Sequence, residues 1–266
     1  MKQRIITALI ALPLLILLLG YASPIVFSVF LAVVLSLSLL EFNRMGLGET
    51  YRFEQWLATL FGVSVVPLLA TNNLIYLFPL FTGFFLLFSL IFLFRFKSIE
   101  NIHHHFGWIL LGWLYLPLLL GHLIPLRLLA NGQKWIFLTL MVIMGCDTLA
   151  YFVGSKFGKH KLYPAVSPNK SIEGALGGLA GSVLAVLLAK YTFMSFLGMI
   201  DGVLIGLLLG TAGQLGDLFE SLLKRACQVK DSGHIIPGHG GMLDRLDSLL
   251  FAFPIAFYLA KYGYGG

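Results

Sequence analysis

The sequence predicts an all-α, polytopic integral membrane protein, and three observations predict it. Hydrophobic residues make up 58% of the 266, and charged residues only 11%, against about 25% charged in an average soluble domain. Apolar runs of spanning or near-spanning length recur along the chain and are continuous rather than alternating. That pattern selects helices, because in lipid every backbone polar group must be satisfied internally. The third observation is the uneven distribution of Lys and Arg along the chain.

Nine runs qualify as spans: 5–19, 24–40, 56–70, 74–94, 108–126, 135–153, 174–189, 197–213 and 249–260. Several are shorter than the roughly 20 residues a perpendicular helix needs, so tilt, interfacial residues or local thinning make up the difference. Lys2 and Arg4 before the first run resemble a signal peptide. No small-residue cleavage site followed by a soluble domain appears, so the run reads as a retained first span. With the N-terminus inside, fourteen of the 18 Lys and Arg residues fall on one side, leaving Arg127, Lys134, Lys190 and Lys261 opposite. This skew predicts a cytoplasmic N-terminus and an outer C-terminus. It also puts segments 154–173 and 214–248 on the same cytoplasmic face of a multi-pass protein of the inner cell membrane.

The net charge of +6 would suggest nucleic acid in a soluble chain. In a membrane protein it marks the cytoplasmic side and anionic headgroups, so membrane lipids rather than nucleic acid are the expected partner. Cys146 and Cys227 are two isolated thiols and imply no disulfide framework.

Residues 1–130 read as scaffold helices for lipid or dimer contacts, and 131–266 as the catalytic region. In the first part, Glu41 and Arg44 are expected to be interfacial charges, and His103, His104 and His105 a solvated juxtamembrane turn, since consecutive residues point in different directions on a helix. Trp56, Trp108, Trp113 and Trp135 fit interfacial belts. In the second part, Gly174, Gly177, Gly178 and Gly181, then Gly202, Gly206 and Gly210, recur at spacings that let helix backbones approach closely. Such glycines, with short spans, are also compatible with a homodimer.

Chemistry concentrates in 213–248. Five of the 12 acidic residues (Asp217, Glu220, Asp231, Asp244 and Asp247) fall there, interleaved with Lys224, Arg225, Lys230, Arg245, His234 and His239. If the helix of the eighth run continues through Arg225, then Asp217, Ser221 and Lys224 share a face, and Glu220 is placed to pair with Lys224. Pro237 to Gly241 supplies a flexible loop with exposed amides, and Asp244 and Asp247 at i, i+3 share the face of a following helix start. Carboxylates from separate segments are the oxygen ligands Mg²⁺ prefers, and basic side chains around them neutralise a polyphosphate.

A further piece lies upstream. Asp147 inside an apolar span is a functional candidate by default. Gly154 to Lys159 is one residue short of a P-loop, and His160 stands where Ser or Thr would hold Mg²⁺, so that reading is rejected. Ser167, Lys170 and Ser171, just before a helix start, suit contact with a phosphate or nucleotide.

These residues carry a resemblance. Ser221-Leu-Leu-Lys224-Arg225, Lys230-Asp231 and Pro237-Gly-His239-Gly-Gly-Met-Leu-Asp244-Arg245-Leu-Asp247 resemble the long C-terminal signature of the phosphatidate cytidylyltransferases, or CDP-diacylglycerol synthases. Asp147…Ala-Tyr…Gly and Ser167-Pro-Asn-Lys170-Ser171-Ile-Glu173-Gly are similar to the same family. They differ at Asn169, Ser171 and Ile172, where the family has Lys, Thr and Trp. The resemblance implies nucleotidyl transfer from CTP to phosphatidic acid, giving CDP-diacylglycerol and pyrophosphate. It implies Mg²⁺ at two divalent sites, or one divalent site with a second cation. Asp217 and Asp244 would be the first metal ligands, with Asp247 and Asp231 behind them. Lys224, Arg225, Lys230, His239 and Arg245 would bind triphosphate or leaving pyrophosphate. Ser167, Lys170, Ser171, Glu173 and Ser221 would contact substrate, and Asp147 would support.

Two alternatives stand beside this reading. CTP-dependent transfer to another lipid, such as an ether lipid or polyisoprenol, would leave the same motifs. A non-enzymatic transporter would instead spread ionisable residues at mid-bilayer over several broken helices. The Asp-x-x-Asp-Gly-x-x-Ala-Arg motif of CDP-alcohol phosphotransferases is missing.

Overall fold

In the computed structural model, residue 13 and residues 16–96, 99–235 and 240–264 are described. Among them the chain is an all-α polytopic membrane protein, with seven helical stretches long and apolar enough to cross a bilayer: Pro24–Leu47, Glu49–Ala70, Leu74–Arg95, Ile102–Leu128, Gly132–Phe157, Ile172–Thr192 and Met199–Ala226. They cover the second to eighth predicted runs. The first run, 5–19, lies mostly outside the described residues. The last forms a helix of 12 residues, Asp247–Tyr258, followed by a five-residue π turn, Leu259–Gly263.

The contacts divide the chain into two compact units: Met1–Pro125 with Asp231–Asp244, and Leu126–Lys230 with Arg245–Gly266. The short segment after Lys230 therefore belongs with the N-terminal helices.

In the first unit, α1 (Pro24–Leu47) begins with Ser23, whose hydroxyl accepts from Val26 N, and with Pro24 at its first position. It ends at Gly48, whose φ of 66° suits glycine, and the Gly48 amide bonds back to Arg44 O at 3.0 Å. Helices α2 (Arg52–Val63), α3 (Val65–Ala70), α4 (Leu77–Arg95) and α5 (Ile102–Gly121) follow. Their interior holds Phe84, Phe88, Phe92, Ile109 and Trp113, with Trp113 stacked on Phe84 at 4.7 Å between ring centroids. Outward-facing apolar residues such as Phe78 and Phe94 are exposed, as expected where lipid replaces water.

The tryptophan expectation needs correction. Trp113 is 3% exposed and Trp135 1%, so both belong to packed interior rather than an interfacial belt. Trp108 stacks on Phe42 and donates to Phe42 O at 2.8 Å. Trp56 is exposed.

After the connecting helix α6 (Leu123–Leu128), the second unit is built from α7 (Gly132–Phe157), α8 (Ile172–Thr192), α9 (Met199–Ala226) and α10 (Asp247–Tyr258). Glycines set its spacing. A Cβ at Gly145 or Gly181 would meet the other residue's carbonyl across α7 and α8. At Gly177 it would meet Val153, and at Gly206 and Gly210 it would meet Val183 and Ser182 of α8. Close backbone approach substitutes here for the hydrophobic drive that lipid removes.

Between α7 and α8 lies an antiparallel pair of β1 (Lys161–Tyr163) and β2 (Ser167–Ser171). The turn closes with Val166 N on Tyr163 O at 3.2 Å. Both strands are edges, which is why Pro168 is tolerated. Their brevity left little periodic signal.

Candidate active site

Helix α9 runs 28 residues and carries the charged face beyond the apolar part of the span. One turn apart, Ser221 Oγ donates to Asp217 Oδ1 at 3.4 Å, and Lys224 Nζ lies 3.0 Å from Glu220 Oε1. Glu220 is fully buried and Lys224 nearly so. From β2, Lys170 Nζ reaches Asp217 Oδ2 at 2.6 Å, with both side chains mostly shielded.

Gly216 explains how α10 joins them. A Cβ there would strike the Asp247 carbonyl, and one at Gly213 would touch Ser248. The start of α10 therefore lies against α9 beside Asp217. Burial first, and then the charge of Asp217, push the Asp247 carboxyl from 3.8 up to about 7. The Ser248 amide, 2.6 Å from Asp247 Oδ1, and the charge of Lys224 act the other way, while Asp147 adds to the rise. Carboxylates crowded at low dielectric resist ionising together.

A cavity of about 610 Å³ opens against this face. It is lined by Asp147, Ala150, Tyr151 and Gly154 of α7, by Ser167, Asn169, Lys170 and Ser171 of β2, by Gly174 and Ala175 of α8, and by Gln214 and Asp217 of α9. The N-terminus of α8 forms part of the wall. Ser171 caps it, its hydroxyl accepting from Gly174 N at 3.1 Å. Partial positive charge at that end favours an anion. A Cβ at Gly154 or Gly174 would crowd the contact between α7 and the cap.

The hairpin is tied at both ends. Glu173 accepts from Lys159 N at 3.1 Å and from His160 N, and His160 Nδ1 lies 2.6 Å from its Oε1. Arg225 donates to Val166 O at 3.3 Å and Val229 O at 3.0 Å. Glu173 and Arg225 thus hold the strand that presents Lys170.

The first unit contains a separate acidic arrangement. Asp244 Oδ2 accepts from Gly241 N at 2.8 Å and from Ser232 N at 3.0 Å. Glu41, near the end of α1, accepts on Oε2 from Leu243 N at 2.9 Å and Ser232 Oγ at 3.2 Å. Glu41 is 2% exposed, which corrects its reading as an interfacial charge. The Gly241 amide, expected to be exposed, is bound to Asp244 within the loop.

Of the residues singled out in the sequence, Asp147, Ser167, Lys170, Ser171 and Asp217 line one cavity, Ser221 and Asp247 adjoin Asp217 by contact or charge, and Lys224 pairs with Glu220 and acts by charge on Asp247. Lys230, Asp231 and Arg245 are exposed. His239 lies outside the described residues, as do 236–238. Tyr151, quoted in the upstream motif but given no role, and Gln214, given none, also stand on the cavity wall. Gln214 donates to Ala175 O at 2.9 Å, and a lone amide at the polar end of an apolar run was its only signal.

Among the described residues, no group of three or more His, Cys, Asp or Glu is drawn together closely enough to hold an ion. The donor chemistry nonetheless suits a hard divalent cation, since Mg²⁺ keeps several waters and takes one or two carboxylates plus substrate phosphate. The strained ionisation of Asp247 beside Asp217 and Asp147 is an excess of negative charge that such a cation would relieve.

The profile of the cytidylyltransferase family matches residues 2–262. The chain is 44% identical over 154 residues to the phosphatidate cytidylyltransferase of Bacillus subtilis (strain 168), covering 58% of this chain and 57% of that protein. It is 48% identical over 128 residues to that of Staphylococcus aureus (strain COL), covering 47% and 48% respectively. The aligned region thus spans about half the length of these curated relatives.

Proposed function

The chain belongs to the cytidylyltransferase family, and from that premise we propose that it transfers the cytidylyl group of CTP to phosphatidic acid, yielding CDP-diacylglycerol and pyrophosphate. A lipid phosphate oxygen attacks the α-phosphorus of CTP. The new P–O bond forms as the α–β anhydride bond breaks, and pyrophosphate leaves with the electron pair. The attacking phosphate is already anionic at neutral pH, so no strong general base is needed. The obstacle is repulsion between two anions, which positioning and electrostatics overcome.

The observation that carries the reading is the cavity wall where Lys170 pairs with Asp217 beside the N-terminus of α8. Lys170, Ser167 and Ser171 bind phosphate there, while Ser221 and Glu173 hold the surrounding groups in place. Lys224, Arg225, Lys230 and Arg245 balance triphosphate charge, and Asp217 and Asp247, supported by Asp147, would hold Mg²⁺. Asp244, Asp231 and His239 are assigned to the reaction by the resemblance alone. Cytidylyltransferases of this family are in general divalent-metal dependent; bound Mg²⁺ would supply charge neutralisation at the phosphates. Nine spans, a cytoplasmic N-terminus and a site facing the cytoplasm at the inner membrane complete the proposal, and a homodimer is compatible with it.

Purified protein in mixed micelles, given CTP and phosphatidic acid, is expected to release pyrophosphate only with Mg²⁺, and Asp217→Asn to slow the release about 10²–10³-fold. Undiminished turnover in that variant would contradict the ligand assignment. Replacing phosphatidic acid with a polyisoprenyl phosphate tests the acceptor.

A further inference from the structure

The first unit contains a buried acid that the proposed reaction does not use. Glu41 is 2% exposed on a membrane-spanning helix. Among the described residues no Lys, Arg or His forms an ion pair with it, and its Oε1 accepts no hydrogen bond. An acid in that setting is expensive to keep. Its other oxygen is committed to segment 231–244 through Leu243 N and Ser232 Oγ.

The segment is shaped to receive it. A Cβ at Gly233 or Gly241 would collide with the Glu41 carboxylate as it is placed, so the two glycines let the backbone lie directly against the acid. Asp244 then fastens the same two ends from within, through Ser232 N and Gly241 N. Ser232 is thus held twice, by its hydroxyl to Glu41 and by its amide to Asp244. This accounts for the grouping of Asp231–Asp244 with the N-terminal helices.

We infer that Glu41 is a positioning residue for nucleotide use, fixing the backbone of the segment that carries Asp231 and Asp244. The inference rests on the cytidylyltransferase reading for the word nucleotide, and on the contacts above for the fixing. A segment ordered in only a fraction of molecules weakens apparent affinity by that fraction.

The experiment compares the full-length protein with Glu41→Ala, Glu41→Gln and Ser232→Ala. Glu41→Ala is expected to raise KM for CTP about tenfold or more, leaving KM for phosphatidic acid within about twofold. Glu41→Gln, which keeps an oxygen acceptor for both donors, restores most of the affinity, and Ser232→Ala falls between. Hydrogen exchange at Ser232, Gly241 and Leu243 rises in the order of the KM effects, while exchange in the core of α5 does not change. Equal KM for CTP in all four proteins, or a loss confined to kcat that tracks the loss of folded protein, overturns the inference. Should wild-type protein release no pyrophosphate from CTP, the functional reading falls by itself. Exchange at Ser232, Gly241 and Leu243 unchanged in Glu41→Ala then removes the clamp as well, whereas faster exchange upholds it.

Discussion

Two sets of buried or half-buried acids differ in what answers their charge. In the first unit, Glu41 and Asp244 meet backbone amides and a serine hydroxyl. In the second, Asp217 meets Lys170 and bears on Asp247, while Glu220 meets Lys224. Amides cannot leave, so an acid fixed by them organises chain. Ammonium groups can turn to a phosphate, and neighbouring carboxylates can share a cation, so an acid among them remains available to a substrate. The contrast marks Glu41 as an acid that organises the chain and supports the proposal that the acids around Asp217 meet the substrate.

The largest expected effect is at Asp217. Removing its charge while keeping its shape, as in Asp217→Asn, should lower kcat about 10²–10³-fold, the scale found when one electrostatic contact to developing charge is lost. A stopped assay of pyrophosphate release checks this. A loss below about threefold would erase the distinction between the sets.

Next comes pH. The Asp247 carboxyl sits near 7 in the folded protein against 3.8 ordinarily. Its stabilising contribution is therefore complete below about 3.8 and is lost as pH rises through about 7, where ionisation brings the penalty of burial beside Asp217. A bound cation offsets that penalty, and below about 7 it must displace a proton. The Mg²⁺ concentration for half-maximal activity is expected to rise up to about tenfold per unit as pH falls below 7. Asp247→Asn should flatten the dependence.

A smaller effect belongs to the other set. Asp244→Ala deletes the acceptor for two amides, and bonds to a charged acceptor contribute about 1.5 kcal/mol or more each. Amide exchange at Ser232 and Gly241 should accelerate at least about tenfold while helix α4 is unaffected. The smallest is Ser171→Ala. Loss of this N-cap should cost about 1 kcal/mol, visible as a drop of a few degrees in Tm, with any further loss of activity assigned to phosphate contact.

Much of the second unit was legible because its signals are local. The charge break after Gly213, the i, i+4 spacings of Asp217, Ser221 and Glu220, Lys224, and the glycine periods all act within one helix or across one contact, and the described helices follow them. The hairpin was not legible, since three- and five-residue edge strands leave no measurable alternation. Nor was Glu41. Its partners lie about 200 residues away, at sequence separations of 191 and 202, and a single acid at the end of an apolar run looks the same whether it faces headgroups or closes on a distant loop. Trp113 and Trp135 failed for a related reason, because an aromatic near a span's end carries no mark of which side it packs.

Binding of Mn²⁺ as a spectroscopic stand-in for Mg²⁺, titrated in the presence of CTP, addresses the central claim most directly. Asp217→Asn and Asp247→Asn are each expected to weaken binding at least about tenfold, and Glu41→Gln to leave it within about twofold. Unaltered affinity in both aspartate variants would contradict the assignment of chemistry to the second unit's acids.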